Sequence, residues 1–397
     1  MGVAEEEVVI VGAGIAGLAT ALALKRVGIR ALVLERSDGL RTTGAAIGLF
    51  PNAWLALDAL GVSHKLTSIY APPQNGNGPR SVHRRALLEA LAEELPDDTI
   101  RFSSKLTSIE TQAQEGSSIT IIRLEDGAII KAKVLIGCDG VHSVVARWLG
   151  LSEPVNSGRW AVRGLAIFPQ GHGLKQEVRQ FLDTGKRGGF DPLTDKEVYW
   201  AFVGDSTMKG EDMTSDPKLI QRAVLENFAE DFPPLYKDIV RHSDLATLSW
   251  APLMLRFPWD VLFGKVSKGN ITVAGDAMHP MTPDLAQGGC SALEDAVVLG
   301  RYIGESFIQN GGLEPAEVTR AIEGYVKARR WRATALITGS FLSGWVQQGG
   351  STWWMKFFRD VIFYGLLFRR VFAATQYDCG KLPSVPSSQL GCQCKIE

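Results

Sequence analysis

The chain has 397 residues, enough for one large domain or two closely joined domains with a sizeable core. Hydrophobic residues make up 45% of it and charged residues 21%, the balance of an ordinary globular protein. The net charge is −1 and the basic residues do not cluster, which argues against a nucleic-acid partner.

The five cysteines are unevenly spaced and form neither a CxxC pair nor the Cys/His spacing of a zinc site. We therefore expect no metal site, and free thiols in a reducing compartment. The first predicted strand starts near Glu7 and leaves no room for a signal peptide, so we expect a cytoplasmic protein.

The beginning of the chain predicts a βαβ unit. A strand over Glu7–Val11 is followed by a glycine-rich turn, a helix from Ile15 to about Val27 and a second strand over Ala31–Glu35. This order, with short connections, is typical of a nucleotide-binding fold.

The turn carries a GxGxxG pattern at Gly12, Gly14 and Gly17. Gly12 would permit a tight turn, Gly14 would let a pyrophosphate approach the backbone, and Gly17 would let the helix pack on the strand. Glu35 stands where an acidic residue binds a ribose hydroxyl. The pattern predicts a dinucleotide site for FAD, NAD or NADP, and the charge of Glu35 disfavours the 2′-phosphate of NADP.

Residues 84–95 predict an amphipathic helix with Arg84 in its first turn. A cation is unfavourable at the positive end of a helix, which suggests an anionic partner such as a cofactor phosphate. Two strands follow as a hairpin that turns at Asp126-Gly127. The second strand ends at Asp139, where open α/β sheets bind ligands, although this residue would also suit a helix cap.

Between about 155 and 255, short alternating stretches predict an antiparallel sheet with strands over 159–168, 175–183 and 197–204. The glycine-rich stretch 185–195 is predicted as a loop. Asp216–Phe228 is predicted as a helix with an Asp cap and a proline in its first turn.

A second glycine-rich turn follows a strand over Asn270–Ala274. Gly275-Asp276 ends the strand, a proline-containing loop comes next, and Gln287-Gly288-Gly289 opens a helix. A chain with two such turns holds either two nucleotides or one long cofactor gripped at both ends.

Helices are predicted from 290 to about 373. The aromatic stretch 353–372 is interrupted by charges and too short in its uncharged part to span a membrane, so we expect it to pack on the protein. Peripheral contact with a membrane surface is the alternative. Residues 378–397 are predicted to form a poorly ordered tail.

These elements predict an α/β protein with a Rossmann-like nucleotide-binding domain, an inserted antiparallel-sheet substrate domain and a helical C-terminal region. The expected parts are 1–154 and 265–300 for nucleotide binding, 155–264 for substrate, 301–376 for the C-terminal helices and 377–397 for a flexible tail.

Taken together, GAGIAG with Glu35, then CDG, then GDAMHP with the downstream QGG resemble the three fingerprints of the single-component FAD-dependent aromatic monooxygenases. This group includes para-hydroxybenzoate and salicylate hydroxylases and the plant FAD-dependent monooxygenases and zeaxanthin epoxidase-like proteins. The likeness spans about residues 7–340, and 42–62 resembles the segment that passes the flavin.

The resemblance implies one extended FAD. Its pyrophosphate would meet the first glycine turn, Arg84 and Asp276, its adenosine would meet Glu35 and the backbone of Leu106, and its ring would lie at the second glycine turn. Asp139 would support the cofactor site in a motif also linked to NAD(P)H use. The full expected set is Gly12, Gly14, Gly17, Glu35, Arg36, Arg84, Leu106, Asp139, Gly275, Asp276, Pro283, Gly288 and Gly289.

Two positions depart from the family pattern. The arginine that commonly closes the CDG motif is Ala146 here, with Arg147 one place later, which puts its role toward NAD(P)H in doubt. Ala286 replaces a glycine often found before Gln-Gly-Gly.

The resemblance also implies that NADPH or NADH reduces the FAD, that O₂ adds at flavin C4a, and that one oxygen passes to an electron-rich carbon of a small molecule. The cofactor supplies this chemistry, so few protein acids or bases are needed. Candidate pocket residues are Arg163, Phe190, Tyr199 and Trp200, with ordinary sheet core as the alternative for each. His279 could serve a phenol but is better suited to ordering its loop.

Three other functions remain open. An epoxidase of an apolar alkene would use the same cofactor in a longer pocket. A non-enzymatic FAD-fold escort protein would have no need for the intact GDAMHP and QGG segment. A plain NAD dehydrogenase would explain the first glycine turn and leave the second unexplained.

Overall fold

The computed structural model describes residues 3–41, 45–70, 79–114, 117–205, 216–348 and 373–385. The largest sheet has parallel strands in its centre and antiparallel strands at one side, in the order β14-β15-β8-β1-β2-β5, with β7 beside β8 and β6 beside β7. Its strands are β1 (Val3–Val11), β2 (Ala31–Leu34), β5 (Ile100–Arg101), β6 (Leu106–Gln114), β7 (Ser117–Leu124), β8 (Ile129–Gly137), β14 (Ser267–Lys268) and β15 (Ile271–Val273).

Residues far apart in sequence meet in this sheet. Val8–Val11 at the C-terminal end of β1 pair with β2 on one side and β8 on the other, and β15 joins β8 in parallel. Helices cover both faces, so these strands are runs of buried aliphatic residues. The predicted hairpin of β7 and β8, with its turn at Gly127, is confirmed.

A two-stranded antiparallel ribbon, β3 (Ala46–Leu49) and β4 (Arg80–His83), lies apart from the large sheet. The helices are α1 (Ile15–Arg26), α2 (Pro51–Leu60), α3 (Ser63–Thr67), α4 (Arg84–Ala92), α5 (Val144–Leu149), α6 (Pro217–Ala223), α7 (Pro234–Arg241), α8 (Pro258–Phe263), α9 (Gly288–Asn310) and α10 (Pro315–Gln348). Short 3₁₀ turns occupy Leu245–Thr247, Gly275–Ala277 and Pro283–Leu285.

Helix α9 lies very close to α1 because two of its contact positions are glycines. A Cβ on Gly300 would lie 2.6 Å from that of Ala23, and a Cβ on Gly304 would lie 2.9 Å from that of Val27. This close contact holds the start of α9 beside the glycine turn that begins α1.

A second sheet is wholly antiparallel, in the order β10-β11-β12-β9-β13. Its strands are β9 (Val155–Ile167), β10 (Arg179–Asp183), β11 (Lys186–Pro192), β12 (Glu197–Asp205) and β13 (Ser249–Leu255). The Rossmann-like part, the inserted antiparallel sheet and the C-terminal helices confirm the predicted fold class.

The two faces of the second sheet differ in chemistry, as strand alternation requires. One face packs Val162, Trp200 and Phe202 with Phe228 and Phe232 in a separate core. The other face carries charged and hydroxyl side chains and is turned toward the first sheet's domain. Its polar members are Arg163, Arg187, Asp191 and Tyr199.

The prediction of a loop over 185–195 is wrong, because residues 186–192 form β11. Glycine normally signals a turn, but here it makes room for other chains. A Cβ on Gly188 would lie 2.3 Å from the Phe232 ring, and one on Gly189 would lie 2.8 Å from the Arg179 carbonyl oxygen. Helix α7 and strand β13 were not predicted.

The helix predicted over Asp216–Phe228 is confirmed. The Asp216 carboxylate accepts a hydrogen bond from the Lys218 N–H at 2.9 Å, and Pro217 occupies the first turn. Its last turn, Val224–Phe228, is a π-helix.

Residues 378–385 differ from the loose tail that was predicted. Cys379 is buried, its carbonyl oxygen accepts a hydrogen bond from Arg301 at 2.7 Å, and Leu382 packs on the core. The segment 353–372 and the residues after 385 lie outside the described part of the chain. Among the described helices, none combines the length and apolar character that crossing a membrane requires.

Ala286 adopts left-handed backbone angles, φ 50° and ψ 33°, which an L-residue with a Cβ adopts only at a cost. We expect Ala286→Gly to raise the free energy of unfolding by about 1 kcal/mol. Denaturant titration measures this change. Ala335→Gly, at an exposed position inside α10, is the control for the flexibility of glycine and should lower stability by about 1 kcal/mol. An Ala286→Gly variant that loses stability would contradict the strain.

Burial raises the pKa of Asp191 to about 6, partly opposed by a hydrogen bond from Ser81. The folded chain therefore holds this proton more tightly than the unfolded chain, and the resulting stability is lost as pH rises from about 4 through 6. We expect Asp191→Asn to remove that loss, so that at pH 7 its free energy of unfolding exceeds that of the wild type by about 3 kcal/mol. Unfolding titrations between pH 4 and 7 measure it. Asp195→Asn, an exposed neighbour, should leave the wild-type slope in place.

Candidate functional site

A long cleft, partly continuous with solvent, runs across the carboxyl ends of the parallel strands. It passes between the turn after β1, the ribbon residue Ile47 and the start of α9. Its lining includes Gly12, Gly14, Glu35, Arg36, Arg41, Ile47, Arg84, Lys105, Leu106, Asp139, His142, Asp276, Gly288 and Gly289.

Each glycine of the first turn meets a different demand. Gly12 has φ 102°, and a Cβ there would lie 2.5 Å from the Cys138 carbonyl oxygen. A Cβ on Gly17 would lie 1.8 Å from the Gly12 carbonyl oxygen. Gly14 has nothing within 4 Å of its Cβ position, so it faces the open cleft. Gly12 and Gly17 serve the fold, and Gly14 leaves room for a ligand.

Glu35 is buried at one end of the cleft and is already engaged by the backbone. Its carboxylate accepts hydrogen bonds from the Ala13 N–H at 2.8 Å and the Ser37 N–H at 2.9 Å. It therefore holds the glycine turn in place. Leu106 and the exposed Arg36 line the cleft with it.

Arg84 opens α4 and reaches into the cleft, where its Nε has no hydrogen-bond partner among the described residues. Burial lowers the pKa of the Arg84 guanidinium. Asp276 opposes that change, and Arg41 and Arg163 add to it. A half-buried cation with an unpaired nitrogen beside other arginines fits an anionic group such as a pyrophosphate.

Asp139 lies where it can both cap a helix and face the cleft, as the sequence predicted. Its carboxylate caps α5 by accepting hydrogen bonds from the Val144 N–H at 2.7 Å and from the Ser143 hydroxyl. It also lines the cleft. Burial raises the pKa of Asp139, and these hydrogen bonds oppose the rise.

Asp276 is exposed to the open interior of the cleft, whose walls surround it. Burial raises its pKa, and the positive charges of His279, Arg84 and Arg163 oppose the rise. Gly275 lies behind it with φ 61°, and its N–H donates to the Asp295 carboxylate at 2.8 Å.

Gly288 and Gly289, at the start of α9, also have different roles. A Cβ on Gly289 would lie 2.2 Å from Ile47 Cδ1, so a glycine is needed there for the ribbon to pack. A Cβ on Gly288 would meet nothing closer than Asp276 Oδ1 at 3.8 Å, so this residue faces open space. Both line the cleft.

Helices α1 and α9 both begin at the cleft without a side-chain cap. Their first N–H groups and positive dipole ends are therefore available to negative charge at two places along one cavity. This arrangement favours one long anionic ligand over two separate ones.

Three expected residues lie outside the lining. Gly17 and Gly275 support the turns from behind, and Pro283 begins the 3₁₀ turn that precedes Ala286. Arg147 is exposed and paired with Glu153 at 2.6 Å, and Ala146 is buried, so neither reaches the cleft.

His279 does not face the cleft. Its side chain is fully buried, and Nε2 lies 2.6 Å from the Asp295 carboxylate. The geometry favours the expected ordering of the loop over a role with a phenol.

Arg163 and Tyr199 lie on the polar face of the second sheet, close enough to the cleft for Arg163 to act on Asp276 and Arg84. Burial raises the pKa of Tyr199, and the charge of Arg163 opposes the rise. Phe190 and Trp200 point the other way into the separate core, so their expected place in a pocket wall is wrong.

Sequence reasoning missed several residues. Arg41, Lys105 and His142 line the cleft, and only His142 lies next to a motif, two residues after the CDG sequence. Asp284 has a fully buried side chain that accepts two hydrogen bonds from Arg159 and pairs with Arg187 at 3.1 Å. These pairs tie the second sheet to the loop before α9, and only the fold brings them together.

Two family models match the chain. One, described as FAD binding domain, covers residues 79–338, and the other, FAD dependent oxidoreductase, covers 7–72. Monooxygenase 2 of Arabidopsis thaliana is 41% identical over 95% of this chain and 98% of its own. FAD-dependent urate hydroxylase of Mycolicibacterium vanbaalenii is 28% identical over 83% of this chain and 86% of its own.

Solved structures share the fold. Klebsiella pneumoniae HpxO complexed with FAD and uric acid superposes with a TM-score of 0.78 at 23% identity, covering 94% of this chain and 96% of its own. A salicylate hydroxylase substrate complex superposes with a TM-score of 0.71 at 19% identity, covering 96% of this chain and 100% of its own.

The open Gly14, the unpaired Arg84 nitrogen and the two uncapped helix starts fit an extended FAD. With that fit and the extent of the sequence matches, the chain belongs to the family of single-component FAD-dependent monooxygenases.

Proposed function

We propose that the protein is an NAD(P)H-consuming hydroxylase of an aromatic or similar small molecule. In this reaction the substrate, O₂, NAD(P)H and a proton give the hydroxylated product, NAD(P)⁺ and water. Bound FAD supplies the redox and oxygen-activating chemistry. The names of two similar proteins, urate hydroxylase and salicylate hydroxylase, support an aromatic substrate.

The protein's own contribution is binding and electrostatics. The cleft residues Gly12, Gly14, Arg84 and Asp276 would hold the pyrophosphate and ribityl chain, and Glu35 with Leu106 would hold the adenosine. The start of α9 would direct its N–H groups at the flavin ring. The positive end of this helix would stabilise negative charge on the ring.

The polar face of the second sheet is the observation that favours an aromatic hydroxylase over an epoxidase of an apolar alkene. Arg163 and Tyr199 lie there beside Asp191 and Arg187, close to the cleft. An arginine next to a tyrosine suits a phenolate or carboxylate on an aromatic ring and is a poor lining for a hydrocarbon. An escort protein would need no such site beside the cofactor.

Substitutions in the first glycine turn test the proposed placement of the cofactor. Ala in place of Gly14 meets no protein atom, so the fold should persist while the pyrophosphate is pushed away, and the Kd for FAD should rise about tenfold or more. Flavin fluorescence measures the Kd. Gly17→Ala collides with the Gly12 carbonyl, so a large drop in melting temperature is expected instead. Equal FAD affinity in Gly14→Ala and wild type would contradict the placement.

The first experiment on function is the visible spectrum of the purified protein, before and after NADPH or NADH, with and without candidate phenols and aromatic acids. We expect flavin bands that bleach faster when a true substrate is present, and a product that carries one atom of ¹⁸O from labelled O₂. Arg163→Met should raise the KM for the substrate about tenfold, with a smaller loss of FAD affinity because Arg163 also acts on Asp276 and Arg84. Arg222→Met, which changes an exposed arginine of the same domain, should behave as wild type. Bleaching and product that require neither NAD(P)H nor O₂ would refute the proposal.

A further inference from the structure

The residues 373–385 form a segment, here called the C-terminal strap, that contacts α2, α9 and α10. We infer that this strap positions the flavin-ring end of the cleft, acting through Arg332, Glu294 and Asn52 on Gln287. The inference rests on the proposed placement of the ring at Gly288 and Gly289.

The path begins at Gln287, which directly precedes the open Gly288. Its side chain is fully buried, and its amide oxygen accepts a hydrogen bond from Asn52 Nδ2 at 2.9 Å. Its amide nitrogen has no partner among the described residues. Asn52 therefore provides the hydrogen bond that orients this side chain at the start of α9.

The next contact is a buried carboxylate. Asn52 Nδ2 also donates to Glu294, which lies two turns along α9 with no exposed surface. Arg329 Nη1 and Arg332 Nε each donate to Glu294 Oε2 at 2.6 Å. Burial acts to raise the pKa of Glu294, but the two arginines and Asn52 outweigh it, so its pKa is lowered and it stays charged.

The strap completes this cluster at both ends. Arg332 Nη2 donates to the Ala374 carbonyl at 2.9 Å, and its guanidinium lies 4.0 Å from the centre of the Tyr377 ring. The Asn52 N–H donates to the Thr375 carbonyl at 2.9 Å. One short stretch of backbone thus fixes both the arginine and the asparagine that meet at Glu294.

Removing the strap would leave Arg332 without its carbonyl and its aromatic neighbour, and free to turn toward solvent. Glu294 would keep Arg329 but lose part of its neutralisation, and a buried carboxylate short of partners forces its surroundings to rearrange. Asn52 lies in the first turn of α2, directly after the ribbon whose Ile47 packs on Gly289. Loss of the strap would therefore disturb Gln287 directly and Gly289 through the ribbon.

The test compares FAD-loaded proteins by Kd for FAD, by the vibrational structure of the bound flavin spectrum and by the reduction potential of the flavin. The variants are Tyr377→Leu, Arg332→Met and a chain ending after residue 372. We expect a three- to tenfold weaker Kd in Tyr377→Leu, a larger loss in the other two, and a spectrum and potential that move toward those of free FAD. Tyr377→Leu leaves every buried charge paired, so it should fold.

The controls separate positioning from general stability. Tyr377→Phe keeps the ring and should match wild type. A chain ending after residue 385 keeps the whole strap and should match it too. Arg320→Met removes an exposed arginine of α10 paired only with Glu317 among the described residues, and should change nothing.

Variants that melt earlier yet bind FAD with unchanged Kd, spectrum and potential would overturn the inference and leave the strap a stabiliser only. A wild type that binds FAD but oxygenates no substrate would refute the proposed function and leave this comparison valid, because its readouts need no turnover.

Discussion

The architecture of the site depends on two adjacent carboxylates, Glu294 and Asp295, buried in α9 and neutralised by Arg329 of α10. Asp295 accepts the Gly275 N–H and pairs with His279, so it holds the turn that presents Asp276. Burial acts to raise its pKa, yet the charges of His279 and Arg329 hold that pKa far below the usual range. A cluster this buried, in which Glu294, Asp295 and Arg329 are all paired, resists rearrangement, because loss of one member leaves a charge uncompensated.

Near that cluster, the starts of α1 and α9 both line the cleft that we propose holds one long cofactor. Helix α1 would meet the phosphates of that cofactor and α9 its ring, and Gly300 and Gly304 let the two helices pack closely together. Both termini are uncapped, which leaves their N–H groups for a ligand. In that proposal the polar face of the second sheet would close the ring end with side chains that suit a charged aromatic molecule. Cofactor affinity and substrate selection would then reside in different parts of the fold.

The βαβ start, the β7–β8 hairpin, the cap of α6 and the α/β class with an inserted antiparallel sheet followed from periodicity and turn chemistry. Most expected cofactor residues do line one cleft, because strand ends and helix starts lie at one edge of a parallel sheet. The loop predicted over 185–195 was wrong because the glycines of β11 make room for Phe232 and Arg179, and no local pattern reveals those contacts. The prediction of a loose tail over 378–385 was wrong because Cys379 is held by Arg301, a contact over a long sequence distance that no local pattern reveals.

The sequence by itself determined the local chemistry: where strands give way to two glycine turns, each of which opens a helix. Local backbone preference and spacing suffice for that, because each turn is built from neighbouring residues. Only the tertiary structure decided which way Arg163 and Trp200 point on their strand pair, that Asp284 meets Arg159 and Arg187, and that the strap reaches Arg332. Those contacts join residues tens to hundreds of positions apart, and long-range packing rather than local propensity selects them.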